Sequence, residues 1–443
     1  MATDRMYDLA FQFRNAGLWE ILNNTEMFAV RLPGGEIGYC SVMGKLENHF
    51  ALAVYVGDAG YQSYRLLLDT DADEVDTLKM INMMAEENCL VCSYESGEHL
   101  TQEDAVKVRI YAAAHDISLH GENAYPQFKK HVTGRVPWRL RSKEDEERIS
   151  EGLLAALEMH RMLSECSRDE IGLHSVLQEP AAIPLLSRKG DGWKLQTIPL
   201  PPAKMQYPQV EFTDQLLAMR LKKQKTADVW ECMACWTIFS MKDDPTGLKA
   251  PYRPLVLAAM NLETHRIIPL LRNGEELSEM VHEFAQQLLK SGKVPGIIRC
   301  VDDRSFAMLM DLGEKTGISI ERTDEMQMIG DGVRQFMELM GEKFEDSDAD
   351  DGEHEDTDED DAYDEYEDEY PYEDDEESPD DDEGTYHPEE HIADLVCAIG
   401  EMTDDELKQM PRELKDMLRD LVDMGLLRDE TARRIRNVLR GKR

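Results

Sequence analysis

Residues 295–303 read Pro-Gly-Ile-Ile-Arg-Cys-Val-Asp-Asp, an apolar run that ends in two adjacent carboxylates. Gly292 and Pro295 end a helical pattern before the run, and another helical pattern begins at Ser305 after it. A short apolar run between two helical patterns is typical of a buried strand. The run therefore predicts a strand over Gly296–Val301 that lies in a sheet covered by helices.

Strand and helix patterns surround this run on both sides. Their order is β-β-β-α-β-α-β-α, over Val229–Met241, Leu255–Met260, Arg266–Leu271, Glu275–Lys290, Gly296–Val301, Ser305–Glu314, Ile318–Arg322 and Ile329–Met340. Short parallel strands that are joined by single helices imply right-handed crossovers. We expect an α/β domain with a mixed sheet over residues 209–343.

The amino-terminal part mixes strands and helices without strict alternation, which indicates an α+β domain over residues 1–125. Its predicted elements are a helix over 1–24, strands Met27–Leu32 and Ile37–Met43, a hairpin of Phe50–Val56 with Tyr61–Leu68, a helix over Asp73–Glu87, a strand over Cys89–Tyr94 and a helix over Thr101–Leu119. Residues 126–208 follow as a connector that contains a polar helix and a β-hairpin, whose turn is Lys189-Gly190-Asp191-Gly192.

The segment Glu345–Glu383 holds 26 Asp and Glu residues and neither Lys nor Arg, and it supplies more than half of the formal net charge of −42. Like charges at this density repel one another, and few apolar side chains are present to bury. The composition predicts a disordered acidic linker over residues 344–386. Residues 387–443 then read as a small module of three helices, the last of which is basic.

Two resemblances follow from these patterns. The element order from Val229 to Met340, with a strand that ends in Asp302 and Asp303 before a helix, resembles the RNase H-like fold of integrases, transposases and RNase H. The arrangement of residues 1–340, with Val136-Pro137-Trp138 between its two modules, resembles uncharacterised bacterial two-domain proteins that are known only as domains of unknown function. The second resemblance implies no activity.

Nucleases of the RNase H-like fold gather two divalent metal ions with carboxylates from the first strand, the end of the fourth strand and flanking helices. The resemblance would place Asp302 or Asp303 at the fourth strand and Asp331 on the last helix, with Mg²⁺ or Mn²⁺ as cofactor. The interior of the predicted first strand lacks an acid, because Asp228 and Glu231 lie at or before its start. Asp302 and Asp303 also suit the start of an ordinary helix.

Two Cys-x-x-Cys pairs, Cys89 with Cys92 and Cys232 with Cys235, raise the possibility of a zinc site. Both pairs lie within apolar strand patterns, in which residues i and i+3 face opposite sides of a sheet. Two thiolates on opposite faces cannot hold one ion. We therefore expect buried structural cysteines and neither a metal nor another cofactor.

Basic residues form two clusters before the acidic segment and one after it. They are Lys129, Lys130, Arg135, Arg139 and Arg141 in the first, which also contains Trp138, then Lys222, Lys223 and Lys225 in the second, and Arg433, Arg434, Arg436 and Arg440 in the third. Interleaved basic and aromatic residues can bind nucleic acid, and a charge run is also typical of a solvated surface. A third interpretation is that the acidic segment docks on one of these clusters.

These features favour a non-enzymatic interaction or regulatory protein of the cytoplasm. The first residues do not have a secretory pattern, and no apolar run approaches membrane-spanning length. The expected partner is a basic protein or a basic surface of the same chain, while the acidic balance disfavours nucleic acid as a ligand of the full-length chain. Two alternatives stay open: a metal-dependent nuclease that the acidic segment inhibits, and a mimic of nucleic acid that binds a basic partner.

Overall fold

The computed structural model describes residues 4–45, 49–69, 77–121, 123–190, 192–244, 249–323 and 329–334. The predicted acidic linker, 344–386, and the predicted helical module, 387–443, lie outside the described residues. The third basic cluster, with Arg433, Arg434, Arg436 and Arg440, lies outside them as well.

The described chain contains both α-helices and β-strands. The helices are Asp4–Ala16 (α1), Leu18–Ile21 (α2), Gly57–Leu68 (α3), Thr77–Glu86 (α4), Gln102–Ala114 (α5), Lys143–Glu165 (α6), Arg168–Ile171 (α7), Gln215–Lys223 (α8), Leu277–Lys290 (α9) and Asp303–Thr316 (α10). The strands are Phe28–Arg31 (β1), Ile37–Met43 (β2), Phe50–Val56 (β3), Cys89–Glu95 (β4), Tyr125–His131 (β5), Trp138–Arg139 (β6), Ile183–Lys189 (β7), Gly192–Ile198 (β8), Val229–Trp236 (β9), Leu255–Asn261 (β10), Ile267–Arg272 (β11), Ile297–Cys300 (β12) and Ser319–Arg322 (β13). Residues 329–334 are also helical.

The chain divides into two compact units. One unit holds Met1–Leu100 and Leu119–Glu345, and therefore contains both sheets. The other holds Thr101–Ser118 and Asp346–Arg443, of which only the first segment is described. In that segment α5 begins where predicted, because the hydroxyl of Thr101 accepts a hydrogen bond from the backbone N–H of Asp104 at 3.2 Å. None of the helices in the described ranges combines the length and the apolar content that crossing a bilayer requires.

The first sheet has eight strands in the order β6-β5-β4-β3-β2-β1-β7-β8. All neighbours in it are antiparallel except β1 and β7, which run parallel with Ala29 opposite Leu185. The sheet is therefore mixed. Four of its strands (β5 to β8) come from residues that the sequence assigned mainly to a connector, so the sheet extends well beyond residue 125.

Side chains of this sheet are buried on both faces. On one face Tyr61 and Tyr64 of α3 join a core of strand residues that includes Tyr39, Tyr55 and Cys89. The other face carries α1 and α6, with an aromatic cluster whose contacting rings have centroids 5.3–6.2 Å apart: Phe13, Trp19, Phe50 and Tyr94.

The predicted strand over Tyr61–Leu68 is wrong, because this segment is the helix α3. Gly57 has a φ of +67°, a left-handed conformation that turns the chain directly after β3. Gly60 lies so close to Tyr55 that a Cβ atom would come within 2.8 Å of the Tyr55 backbone carbonyl carbon. The two glycines let a helix begin against the strand, whereas the sequence pattern indicated a hairpin turn.

The second sheet has five strands in the order β11-β10-β9-β12-β13. The three strands β9, β10 and β11 are antiparallel neighbours, while β12 runs parallel to both β9 and β13. The predicted strand over Gly296–Val301 is present as β12, with Cys300 opposite Cys232 of β9. The predicted first strand is shorter than expected and ends at Trp236.

Helices cover both faces of the second sheet. One face packs on α8, α9 and α10, around a core that includes Trp230, Phe284 and Leu309. The other face contacts Leu78 of α4 as well as Ile329 and Val333, the described part of the last predicted helix. A helix that lies between two strands of the first sheet in sequence therefore completes the core of the second.

Candidate functional site

An open cleft of about 890 Å³ lies at the carboxyl ends of β9 and β12. In open α/β sheets this edge is where ligands usually bind. The walls come from α4, from the segment at residues 203–207 and from the start of α10, and they include Asp302, Asp303 and Arg304. Two of the three predicted nuclease carboxylates therefore share this cleft.

Asp302 caps α10 and is fully engaged by neighbouring donors. Its Oδ1 accepts a hydrogen bond from the backbone N–H of Ser305 at 2.7 Å. Its Oδ2 accepts from the backbone N–H of Ala234 and from the Ser305 hydroxyl, both at 2.8 Å. The bond to Ala234 satisfies an N–H of β9 just beyond the end of β12. Asp302 therefore joins a helix start to a strand edge, as an N-cap residue does.

Burial raises the pKa of the Asp302 carboxyl to about 6, although the N–H groups of Ser305 and Ala234 act in the opposite direction. The desolvation of the charged form outweighs the donors.

Asp303 is held by two cations. Its Oδ2 lies 2.8 Å from Nζ of Lys204, and its Oδ1 lies 2.9 Å from Nη1 of Arg322. The Arg322 guanidinium in turn lies 4.3 Å from the centre of the Phe306 ring. The carboxylate thus has both oxygens in ion pairs at the cleft rim.

The third predicted carboxylate, Asp331, points elsewhere. Its side chain is 74% exposed and pairs with Arg334 at 2.6 Å. In the part of the chain that the structure describes, Asp331 does not line the cleft.

Sequence reasoning missed Glu231 as an interior residue of β9. Glu231 is only 1% exposed, and its Oε2 accepts a hydrogen bond from the backbone N–H of Ile329 at 3.3 Å. It lies opposite Met260 on one side and Arg299 on the other. The available signal is a single acid between Trp230 and Cys232 in an apolar run, which the sequence pattern places at the strand start.

Arg304 is a buried cation of the cleft, as Arg65 is. It is 8% exposed, forms an ion pair with Glu86, and lies between the rings of Tyr207 and Trp236 at 4.8 and 4.6 Å from their centres. Burial lowers the pKa of its guanidinium to about 9, so it is still charged at neutral pH. In the described part of the chain its Nη1 has no hydrogen-bond partner.

Trp236 fixes the other side of this arrangement. Its Nε1–H donates to Oε1 of Glu86 at 2.9 Å, and its backbone N–H donates to the side chain of Asn82 at 2.8 Å. The indole fits between two glycines, since a Cβ at Gly134 would lie 2.4 Å from it and a Cβ at Gly274 would lie 2.3 Å from it. A side chain at either glycine would therefore displace the ring.

Most residues of the first basic cluster already have partners. Lys130 pairs with Asp145 at 2.8 Å, and Arg135 pairs with Asp243 at 3.0 Å and with Glu275 at 2.7 Å. The remaining members lie on or beside β5 and β6: Lys129 opposite Arg139, and Trp138 with its ring centre 5.8 Å from the Arg141 guanidinium. This cluster is therefore mainly a part of the folded body.

The second basic cluster is more accessible. Lys222 and Lys223 end α8 and are exposed, while Nζ of Lys225 donates to the carbonyl of Gly317 at 2.6 Å. The same helix also exposes two large apolar side chains, Leu216 at 66% and Met219 at 56%.

Within each Cys-x-x-Cys pair, the two cysteines face opposite sides of their sheet, as predicted. Cys232 packs in the core under α8 to α10, whereas Cys235 packs in the core against α4. Cys89 belongs to the core under α3, whereas the Cys92 thiol contacts the hydroxyl of Tyr94 at 3.7 Å. Burial raises the thiol pKa of all four.

Comparison with known proteins gives two family matches. Residues 4–175 match the model of a domain of unknown function (DUF7309), and residues 217–337 match the model of a second domain of unknown function (DUF6930). No curated protein and no solved structure matches the chain.

The pKa of Asp302 predicts a pH-dependent stability. The folded state raises this pKa from 3.8 to about 6. The carboxyl therefore contributes most to the free energy of unfolding below the unfolded pKa, and this contribution is lost as pH rises through 6. The free energy of unfolding of the natural protein, relative to Asp302→Asn, should fall by on the order of 3 kcal/mol between about pH 4 and about pH 7. Urea unfolding of both proteins measures this difference, in which the carboxyls common to both cancel. A difference that stays constant over this range would contradict the assignment.

Proposed function

We propose that this chain, a two-domain protein whose domains match two families of unknown function, is a non-enzymatic interaction or regulatory protein of the cytoplasm. In this proposal the two sheets form a binding body. The acidic segment, 345–383, tethers the carboxyl-terminal residues and provides a charged contact for a basic surface. No cofactor takes part in that contact.

The second sheet supports an RNase H-like scaffold for this body. The central strand β9 has antiparallel β10 on one side and parallel β12 on the other, with β11 and β13 at the edges. The sheet is mixed, as the element order of residues 229–340 predicts. A fold of this kind hosts many functions, so the side chains at its strand ends must decide between them.

The state of Asp302 carries the proposal. A two-metal nuclease needs carboxylate oxygens that are free to bind the ions. Both oxygens of Asp302 instead accept hydrogen bonds from Ala234 and Ser305, and both oxygens of Asp303 pair with cations. These carboxylates support the fold, which favours a binding protein over a nuclease.

The basic surface of α8 supports an interaction with the acidic segment. Leu216, Met219, Arg220 and Lys223 are exposed at spacings of three and four residues, which place them on one side of the helix. A surface with both cationic and apolar groups suits a partner with both anionic and aromatic groups. The acidic segment has this composition, since it contains Tyr363, Tyr366, Tyr370 and Tyr372 among its carboxylates.

A nuclease assay tests whether the protein lacks nuclease activity. The full-length protein and a variant that lacks 345–383 are incubated with single- and double-stranded DNA and RNA and with Mg²⁺ or Mn²⁺. We expect no cleavage above the level without protein, because the carboxylates of the cleft are engaged. Cleavage that is lost in Asp303→Asn, a substitution that retains the shape of the side chain, would support the alternative of an inhibited nuclease.

Small-angle scattering of the full-length chain tests the intramolecular contact. The radius of gyration should increase when salt is raised from about 50 mM to about 500 mM, since charge attraction is screened. Arg220→Glu with Lys223→Glu should be extended already at low salt. The control Lys189→Glu with Lys194→Glu changes the same charge at exposed positions of β7 and β8 and should behave like the natural protein. A profile independent of salt would contradict the contact and favour an external basic partner, such as a nucleic-acid-binding protein whose ligand the segment mimics.

A further inference from the structure

Three side chains with metal-ligand chemistry converge at one end of the first sheet, away from the cleft. Cys89 is the first residue of β4, and His131 is the last residue of β5 and its direct partner in the antiparallel register. Glu87 precedes Cys89 by two residues, so an extended backbone places both side chains on the same side. A strand, its neighbour and an i, i+2 spacing therefore bring the three together.

The atoms of this group are close enough to share one ion. Oε2 of Glu87 lies 2.7 Å from Nδ1 of His131, and Oε1 of Glu87 lies 3.5 Å from the Cys89 sulfur. The three potential ligand atoms all lie within 4.8 Å of one another. In a tetrahedral zinc site, bonds of about 2.0–2.3 Å place ligand atoms about 3.3–3.6 Å apart. A small opening of the contact between Glu87 and His131 would reach this geometry.

We propose that Glu87, Cys89 and His131 bind a Zn²⁺ ion. Thiolate and imidazole ligands select zinc over Mg²⁺ and Ca²⁺, which prefer sites made of oxygen alone. One thiolate and one carboxylate also balance the double charge of the ion, so the filled site is neutral. A neutral site avoids the desolvation cost of a net charge in a partly buried position.

The surroundings suit a bound ion. Cys89 is 3% exposed and sits in the core under α3, whereas the side chains of Glu87 and His131 are 19% and 18% exposed. The ion can therefore enter from the solvent side and meet the thiol from outside the core. The hydroxyl of Tyr55 donates to Oε1 of Glu87 at 3.4 Å and would orient this ligand in the filled site, as partners of metal ligands commonly do.

Binding releases protons. The buried thiol has a raised pKa and carries its proton until the metal arrives. When the Zn–S bond forms, the S–H proton leaves to solvent, and His131 must bind as neutral imidazole. Three protein ligands leave a fourth position, which water fills in sites of this type.

This site departs from the expectation of no metal, which was drawn from the two Cys-x-x-Cys pairs. That reasoning correctly excluded Cys92 as a partner of Cys89, because the two thiols face opposite sides. The ligands proposed to join Cys89 are instead Glu87, two residues before the start of β4, and His131 on the neighbouring strand β5, 42 positions further along the sequence.

Metal titration of the full-length protein tests the proposal. The purified protein is stripped with a chelator and titrated with Zn²⁺ against a competing indicator dye. Excess Mg²⁺ is present throughout, so that it occupies the carboxylates of the acidic segment. Replacement of zinc by Co²⁺ adds a second readout, since a cobalt–thiolate bond gives a charge-transfer absorption that oxygen ligands cannot give.

The natural protein should bind one equivalent of Zn²⁺ tightly and should show the thiolate band with Co²⁺. Cys89→Ser should lose the band, and both it and His131→Gln should weaken binding at least 100-fold. The matched control is Cys92→Ser, which alters a buried thiol on the other face of the same strand and should keep both properties. Circular dichroism identifies variants that fail to fold. If Cys89→Ser fails, His131→Gln decides, because its side chain is at the partly exposed rim.

Absence of a tight equivalent in the natural protein would overturn the proposal. So would binding and a cobalt spectrum in folded His131→Gln that equal those of the natural protein. A thiolate band that persists in Cys89→Ser would place the metal at another cysteine, which also contradicts the site.

Discussion

The buried contact of Arg304 with Glu86 and Trp236 is the interaction on which the body of this protein depends. Glu86 ends α4, the helix that precedes β4 of the first sheet in sequence. Trp236 ends β9, and Arg304 lies in the first turn of α10. Both charged residues are less than a tenth exposed. A buried charge without its partner costs several kcal/mol. Separating α4 from the start of α10 would therefore lower the stability of the fold. The contact thereby fixes α4 against the second sheet.

The same corner explains why the two strand-end carboxylates serve structure. Because β12 ends at Cys300, the N–H of Ala234 on β9 has no strand neighbour on that side, and Asp302 supplies the acceptor. Asp303 then meets the cations of Lys204 and Arg322 at the rim. In a nuclease of RNase H-like fold these positions would face metal ions. Here donors and cations of the protein itself occupy the oxygens of both residues, which is why we propose binding rather than catalysis at this edge.

Sequence reasoning predicted local elements better than their associations. The strand β12 and the helices beside it follow from a short apolar run and from helical spacing, because both signals lie within the element itself. The helix α3 was missed because Gly57 and Gly60 also suit a turn, and only the approach to Tyr55 distinguishes the two. The cover that Leu78 of α4 gives to the second sheet is invisible in a pattern, since periodicity shows an apolar side but not its partner.

The candidate sites show the same limit. The sequence suits Asp302 both as a helix cap and as a metal ligand, and the hydrogen bonds that make it a cap are visible only in the structure. The group of Glu87, Cys89 and His131 depends on the pairing of β4 with β5, which brings together residues far apart in sequence. Burial of Glu231 likewise depends on strand neighbours and on the helix at Ile329.

A double-mutant cycle on Arg304 and Glu86 tests the central contact most directly. The free energy of unfolding is measured in urea for Arg304→Met, for Glu86→Gln and for the double variant, with Arg322→Met as a control for an arginine that also covers a ring but is half exposed. Each single substitution should cost about 3–5 kcal/mol because it leaves a buried group without its partner. The double variant should cost clearly less than their sum, and the control should cost about 1 kcal/mol or less. Single effects below about 1 kcal/mol that simply add would contradict the account.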